Sequence, residues 1–193
     1  MFAHLKQHRV IVVSGAPRSG TWITTRMIAH DTGHSIVPEK AFGFRDWKRM
    51  VGILQSASKP CVIHAPSMSN HLCDMEQVDP NVFIVFVVRC PSDIVASENR
   101  IGRKKADVIF RMTRRQYRNL VPVPKVASCM ARQTYWFCVQ RYLIDPSRWV
   151  EVQYESLREH PLWIPDEERQ HFATHQTIVG KADEFYPKQG YGR

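Results

Sequence analysis

The apolar positions of this chain form short continuous runs separated by stretches with helical spacing. Residues 10–13, VIVV, are four successive β-branched residues, the pattern of a strand buried on both faces. The same pattern returns at 61–64 (CVIH) and at 82–88 (VFIVFVV), the most hydrophobic run and one that reads as central. Residues 149–153 (WVEVQ) predict a last strand. After the first strand, Ile23, Met27 and Ile28 recur at helical spacing from Thr21, with Gly33 placed to stop the helix.

A short extended stretch at 35–38 leads to Glu39, and residues 44–57 then put Trp47, Met50, Val51 and Leu54 on one stripe. Further helices are predicted over 69–77, over 91–100 with Pro91 at its first position, and over 104–120, 126–142 and 166–175. The breaker Val121-Pro122-Val123-Pro124 separates the third and fourth of these. Strands alternating with helices predict an α/β fold: a three-layer α/β/α arrangement around a central parallel sheet, as one domain over residues 1–193.

The loop after the first strand, Ser14-Gly15-Ala16-Pro17-Arg18-Ser19-Gly20, carries the first chemistry. A strand feeding a tight glycine loop that opens a helix aims unpaired N–H groups and a positive dipole end at one spot, suited to phosphate or sulfate. Arg18 adds a fixed charge with forked donors that match such oxyanions. An ordinary strand-turn-helix connection with incidental glycines is the plainer alternative. Gly15 and Gly20 have the spacing of the nucleotide loop G-x-x-x-x-G-K-[ST], but Thr21 stands where the lysine belongs.

Charge sharpens the picture. Of the net +9, residues 100–118 supply +7, from eight basic residues and Asp107, which favours an anionic ligand or partner. The five cysteines are scattered and never spaced C-x-x-C, and the nine histidines form no H-E-x-x-H pair. Reduced thiols in a cytoplasmic protein without a structural metal are therefore expected. No apolar run approaches the ~20 residues of a membrane span, and the segment before the first strand does not read as a secretory signal.

A metal-dependent kinase or nucleotidase usually ends a hydrophobic strand in an acid that holds magnesium. Here residues 82–88 end at Arg89, a cation that would attract a second phosphate instead. The ligand implied is a nucleotide with two separated anionic groups, bound without metal.

With these residues in view, the chain resembles the sulfotransferases that use 3′-phosphoadenosine 5′-phosphosulfate (PAPS). In that family a P-[KR]-S-G-T loop binds the 5′-phosphosulfate, which Pro17-Arg18-Ser19-Gly20-Thr21 matches. An arginine at a strand end and a serine eight residues on bind the 3′-phosphate, which Arg89 and Ser97 match. Tyr154-Glu155-Ser156-Leu157 is similar to the family's Y-E-x-L, whose tyrosine lies near the adenine. Trp22 replaces a second threonine that is frequent in the family, and Lys188, in Lys188-Gln189-Gly190-Tyr191-Gly192-Arg193, loosely matches a basic segment that closes over the 3′-phosphate.

The resemblance implies metal-independent, in-line transfer of a sulfuryl group from PAPS to an acceptor hydroxyl or amine, leaving adenosine 3′,5′-bisphosphate. Arg18, Ser19, Gly20, Thr21 and Trp22 would cradle the 5′ group, with Arg18 stabilising the leaving oxygen. Glu39 is similar to the glutamate base of tyrosylprotein and heparan sulfate sulfotransferases, and His64 to the histidine of the cytosolic enzymes. Glu39 is favoured as base with His64 assisting, and His64 as base stays open, because imidazole titrates near neutrality. The expected partner is a small-molecule or carbohydrate acceptor, with carbohydrate, lipid, small alcohol and peptide tyrosine all open and an anionic one favoured by the basic segment. Two rival readings stand beside this one: a metal-dependent P-loop kinase or nucleotidase, and a nucleic-acid-binding module using residues 100–118. Nucleic acid is not expected, because that module leaves the glycine loop unexplained and lacks interleaved aromatics. A degenerate, non-catalytic relative is a further alternative.

Overall fold

A computed structural model of the chain describes residues 1–43, 46–100 and 125–164. Five strands form one parallel sheet: β1 (Val10–Gly15), β2 (Ser35–Val37), β3 (Cys61–His64), β4 (Val82–Val88) and β5 (Trp149–Gln153), in the order β2-β3-β1-β4-β5. β1 is the middle strand, and β4 lies inside the sheet between β1 and β5. The register sets Val13 opposite His64 and Gly15 opposite Val87, so the ends of β1, β3 and β4 lie side by side.

Successive residues of a strand face opposite sides of its sheet, and each side here is covered. Val10, Val12, Ile63, Ile84 and Phe86 pack with Met50 and Leu54 of α2 (Trp47–Ser56), Leu72 and Met75 of α3 (Leu72–Val78), and Trp136. Ile11, Val13, Val62, Val85 and Val87 pack with Met27 and Ile28 of α1 (Thr21–Thr32) and with Phe2 and Leu5 of the N-terminal turn. Fully burying each such side chain is worth about 1.5–3 kcal/mol, so both faces of the sheet drive folding. The expected three-layer α/β/α architecture is the one observed.

The element boundaries depart from the sequence pattern where polar side chains intervene. α2 starts at Trp47 rather than 44, because Asp46 caps it by accepting from the Arg49 N–H at 3.2 Å. α3 starts at Leu72 rather than 69, after a 3₁₀ turn at Pro66–Met68, and its Leu72 N–H donates to the Gln140 side chain at 2.9 Å. α4 is Pro91–Arg100, as predicted. The helix expected over 126–142 is α5 (Lys125–Tyr135), a π turn (Trp136–Gln140) and a final turn (Arg141–Leu143). The wider turn points both Trp136 and Gln140 inward. Trp136 stacks on Phe86 with ring centroids 4.6 Å apart and donates to Glu151. Gln140 donates to Ser69 O at 2.7 Å while accepting from Leu72.

The helices predicted over 104–120 and 166–175, all but the first residue of the basic segment, and Lys188 lie outside the described residues. Among the described residues no helix is long and apolar enough to cross a membrane.

Candidate functional site

β1 connects through α1 to the β2 edge of the sheet, whereas β4 leads on to β5 at the opposite edge. The chain therefore diverges between β1 and β4, and such a switch point opens a crevice beyond the carboxyl ends of the strands. The loop of residues 16–20 lies there. Its turn is closed by the Ser19 N–H donating to Ala16 O at 3.0 Å. Arg18 holds φ +71° and Gly20 φ +98°, conformations costly for most residues. α1 then opens at Thr21, and its first N–H groups have no carbonyl one turn back to bond. The Ser19 hydroxyl oxygen is buried with no hydrogen-bond partner among the described residues. Unmade hydrogen bonds of this kind are expensive, and a hydroxyl beside a helix N-terminus is able to donate to an oxyanion.

Two arginines converge on the loop. Arg18 donates to Ser97 Oγ of α4, at 3.3 Å from Nη2 and 3.4 Å from Nε. Arg89, just past β4, donates from Nη1 to the backbone oxygen of Arg18 at 3.3 Å, and its buried Nε has no hydrogen-bond partner among the described residues. Its guanidinium lies 4.0 Å from the centre of the Tyr154 ring, and its own carbonyl accepts from Gln133 of α5 at 2.9 Å. Arg18, Ser19, Gly20, Arg89, Ser97 and Tyr154 are thus neighbours.

The β3 side supplies the remaining groups. His64 Nε2 is 3.1 Å from Thr21 Oγ1, and the imidazole meets the Trp22 ring edge-on at 5.1 Å. Burial penalises the imidazolium and pushes the His64 pKa down to about 4, so the ring is neutral at pH 7. A neutral ring with so low a pKa is a weak base. Glu39 begins the turn after β2, and its Oε1 accepts from the Ser67 N–H at 2.7 Å, three residues beyond His64. The Ser67 hydroxyl oxygen is likewise buried without a hydrogen-bond partner among the described residues.

Sequence reasoning missed Ser67, Arg132, Gln133 and Gln140. Arg132, Trp136 and Gln140 recur every four residues, a stripe that points inward. Arg132 donates to Ser69 Oγ at 2.6 Å, so α5 secures the segment after β3 while Gln133 secures the end of β4. Polar residues inside an apolar stripe were the signal available.

A separate cluster joins His30, Asp31 and His160. Burial alone would raise the Asp31 pKa, but hydrogen bonds from the Phe2 N–H, His30, the terminal ammonium and His160 outweigh it and hold the carboxyl below its usual range. His160 Nδ1 accepts from the Leu162 N–H, so its Nε2 carries the proton given to Asp31 and has no lone pair for an ion. The cluster is a clasp between α1 and the turn after β5.

No protein-family model and no curated protein sequence matches the chain. Among solved structures it is similar to an unliganded sugar kinase from a Janibacter species, at 13% identity and a TM-score of 0.46 over 92% of this chain and 94% of that one. It is likewise similar to a gluconokinase from Sinorhizobium meliloti, at 14% identity and a TM-score of 0.46 over 94% and 98% of the two chains. Both are kinases, and neither is a sulfotransferase. The expected sulfotransferase activity, with PAPS as donor and no metal, is corrected on this finding, since kinases commonly transfer phosphoryl groups from nucleoside triphosphates with magnesium. The physical reason is that a loop of N–H groups and arginines fits any tetrahedral oxyanion. The motif therefore fixes the geometry of the cradle and not whether the transferred group is sulfuryl or phosphoryl.

Proposed function

We propose that the chain is a P-loop-like phosphotransferase that holds a nucleoside triphosphate at the loop of residues 16–20 and transfers its terminal phosphoryl group to a small-molecule hydroxyl. The observation that carries this reading is the Ser19 hydroxyl, buried without a hydrogen-bond partner among the described residues, in the loop that opens α1 and that Arg89 reaches through Arg18 O. In this reading Arg18 and Arg89 take the role of the absent loop lysine and neutralise charge on the donor phosphates. Glu39, held by the Ser67 N–H, accepts the acceptor's proton, and neutral His64 orients Thr21 through the hydrogen bond at the loop's edge.

Magnesium is ordinarily held by donor phosphates together with one or two carboxylates. The described residues do not build that contact on the β4 side, where Arg89, a cation, stands at the strand end. No step is assigned to the ion.

Calorimetric titration tests the proposal, with ATP in the presence and absence of magnesium set beside adenosine 3′,5′-bisphosphate. One-to-one binding of ATP, followed by ADP release with a panel of hydroxyl compounds that includes gluconate and simple sugars, is the expected result. Tighter binding of the bisphosphate than of ATP under both conditions would overturn it.

A further inference from the structure

Tyr154 begins the 3₁₀ turn directly after β5, and its ring is packed on several sides. The Arg89 guanidinium covers one face at 4.0 Å. A Cβ built on Gly20 would land on ring atom Cδ2 and lie 2.7 Å from Cε2, so the ring rests directly against the backbone of the phosphate loop. Trp163 meets it at 5.3 Å and 63°, and Trp163 is itself tied by its N–H to His160 O at 2.8 Å, inside the clasp with Asp31. A face occupied by a guanidinium is not open for stacking on a base.

We propose that Tyr154 is a positioning residue of the phosphate site. Its ring, resting against Gly20, aims Arg89 at the loop through a cation–π contact. Long arginine side chains lose much rotamer freedom when fixed, and a ring that fixes Arg89 beforehand spares the ligand that ordering. The inference rests on the phosphate-site reading above, because without an anion at the loop there is nothing for Arg89 to be aimed at.

The test measures pyrophosphate and ATP binding by calorimetry in the wild type, Tyr154→Phe, Tyr154→Leu, Arg89→Ala and the Arg89→Ala/Tyr154→Leu double variant. Tyr154→Leu is expected to weaken both probes by about tenfold or more, in the range of a lost charge-assisted contact. Tyr154→Phe, which keeps the ring, restores binding to within about twofold. The double variant binds no worse than Arg89→Ala, because both changes remove one guanidinium's contribution. Losses that multiply in the double variant, or an unchanged Tyr154→Leu, would overturn the positioning role. So would a loss confined to ATP with pyrophosphate spared, which is the signature of base stacking. If Tyr154→Leu does not fold, Tyr154→Met carries the same comparison. A wild type that binds neither probe overturns the phosphate reading itself, and this inference with it.

Discussion

Replacing Gly20 by alanine adds one methyl group at the point where the phosphate loop, Tyr154 and Arg89 meet. The backbone there holds φ +98°, and forcing an L residue into such a conformation costs about 1–3 kcal/mol. The new Cβ would also fall against the Tyr154 ring, at 2.7 Å from Cε2, and must push the ring or the loop aside. Displacing the ring forfeits the Arg89 contact, worth roughly 0.5–2 kcal/mol. Together these give about 1.5–5 kcal/mol, felt partly as lost stability and partly as lost affinity. For a domain of this size each kcal/mol shifts Tm by roughly 2–4 °C. Gly20→Ala is therefore expected to melt several degrees lower in a thermal shift assay and to bind ATP or pyrophosphate at least about tenfold more weakly. Gly33→Ala is the control, because Gly33 also has positive φ, +74°, while its Cβ would meet nothing within 4 Å. It should show the backbone cost alone, with phosphate affinity retained. If Gly20→Ala were no more damaging than Gly33→Ala by both measures, the packing of Tyr154 on the loop would be refuted.

Arg89→Ala should weaken ATP binding by about 10–100-fold, and the remaining affinity should be less sensitive to added salt in a calorimetric series, because a charge-assisted contact is gone. Glu39→Gln should lower phosphoryl transfer by about 10²–10⁴-fold in an ADP-release assay, because the amide cannot take the acceptor's proton. The His64 pKa is lowered on folding from 6.5 to about 4, so its contribution to stability is complete above about pH 6.5 and is lost as pH falls toward 4. The loss amounts to about 3 kcal/mol for that shift, and urea titrations between pH 7 and 4 should show a shallower decline in His64→Asn than in the wild type. Gln140→Leu strands the buried Leu72 N–H and Ser69 O and should cost about 2 kcal/mol of unfolding free energy, read from the urea midpoint.

What the sequence determined by itself was the set of local patterns. Strands β1, β3 and β4 were legible because parallel strands buried on both faces demand unbroken apolar runs, and VIVV, CVIH and VFIVFVV supply them. The loop before α1 was legible because its shape depends on glycines at fixed offsets and an arginine inside the loop. Glu39 and His64 were named through the resemblance, and the fold places His64 at the end of β3 and Glu39 two residues past β2.

Tertiary structure decided what local pattern does not encode. The start of α3 depends on Gln140, 68 residues away, and the π turn on where Trp136 finds Phe86. That Tyr154 covers Arg89 and blocks a side chain at Gly20 follows from β5 pairing with β4, a contact between distant segments. His64 reads as a near-neutral titrating group until burial beside Thr21 and Trp22 makes its charged form expensive. Apolar periodicity and turn chemistry act over a few residues and can be read along the chain. Desolvation, caps from other elements and the aim of a guanidinium depend on which distant segments meet, and only the folded chain fixes that.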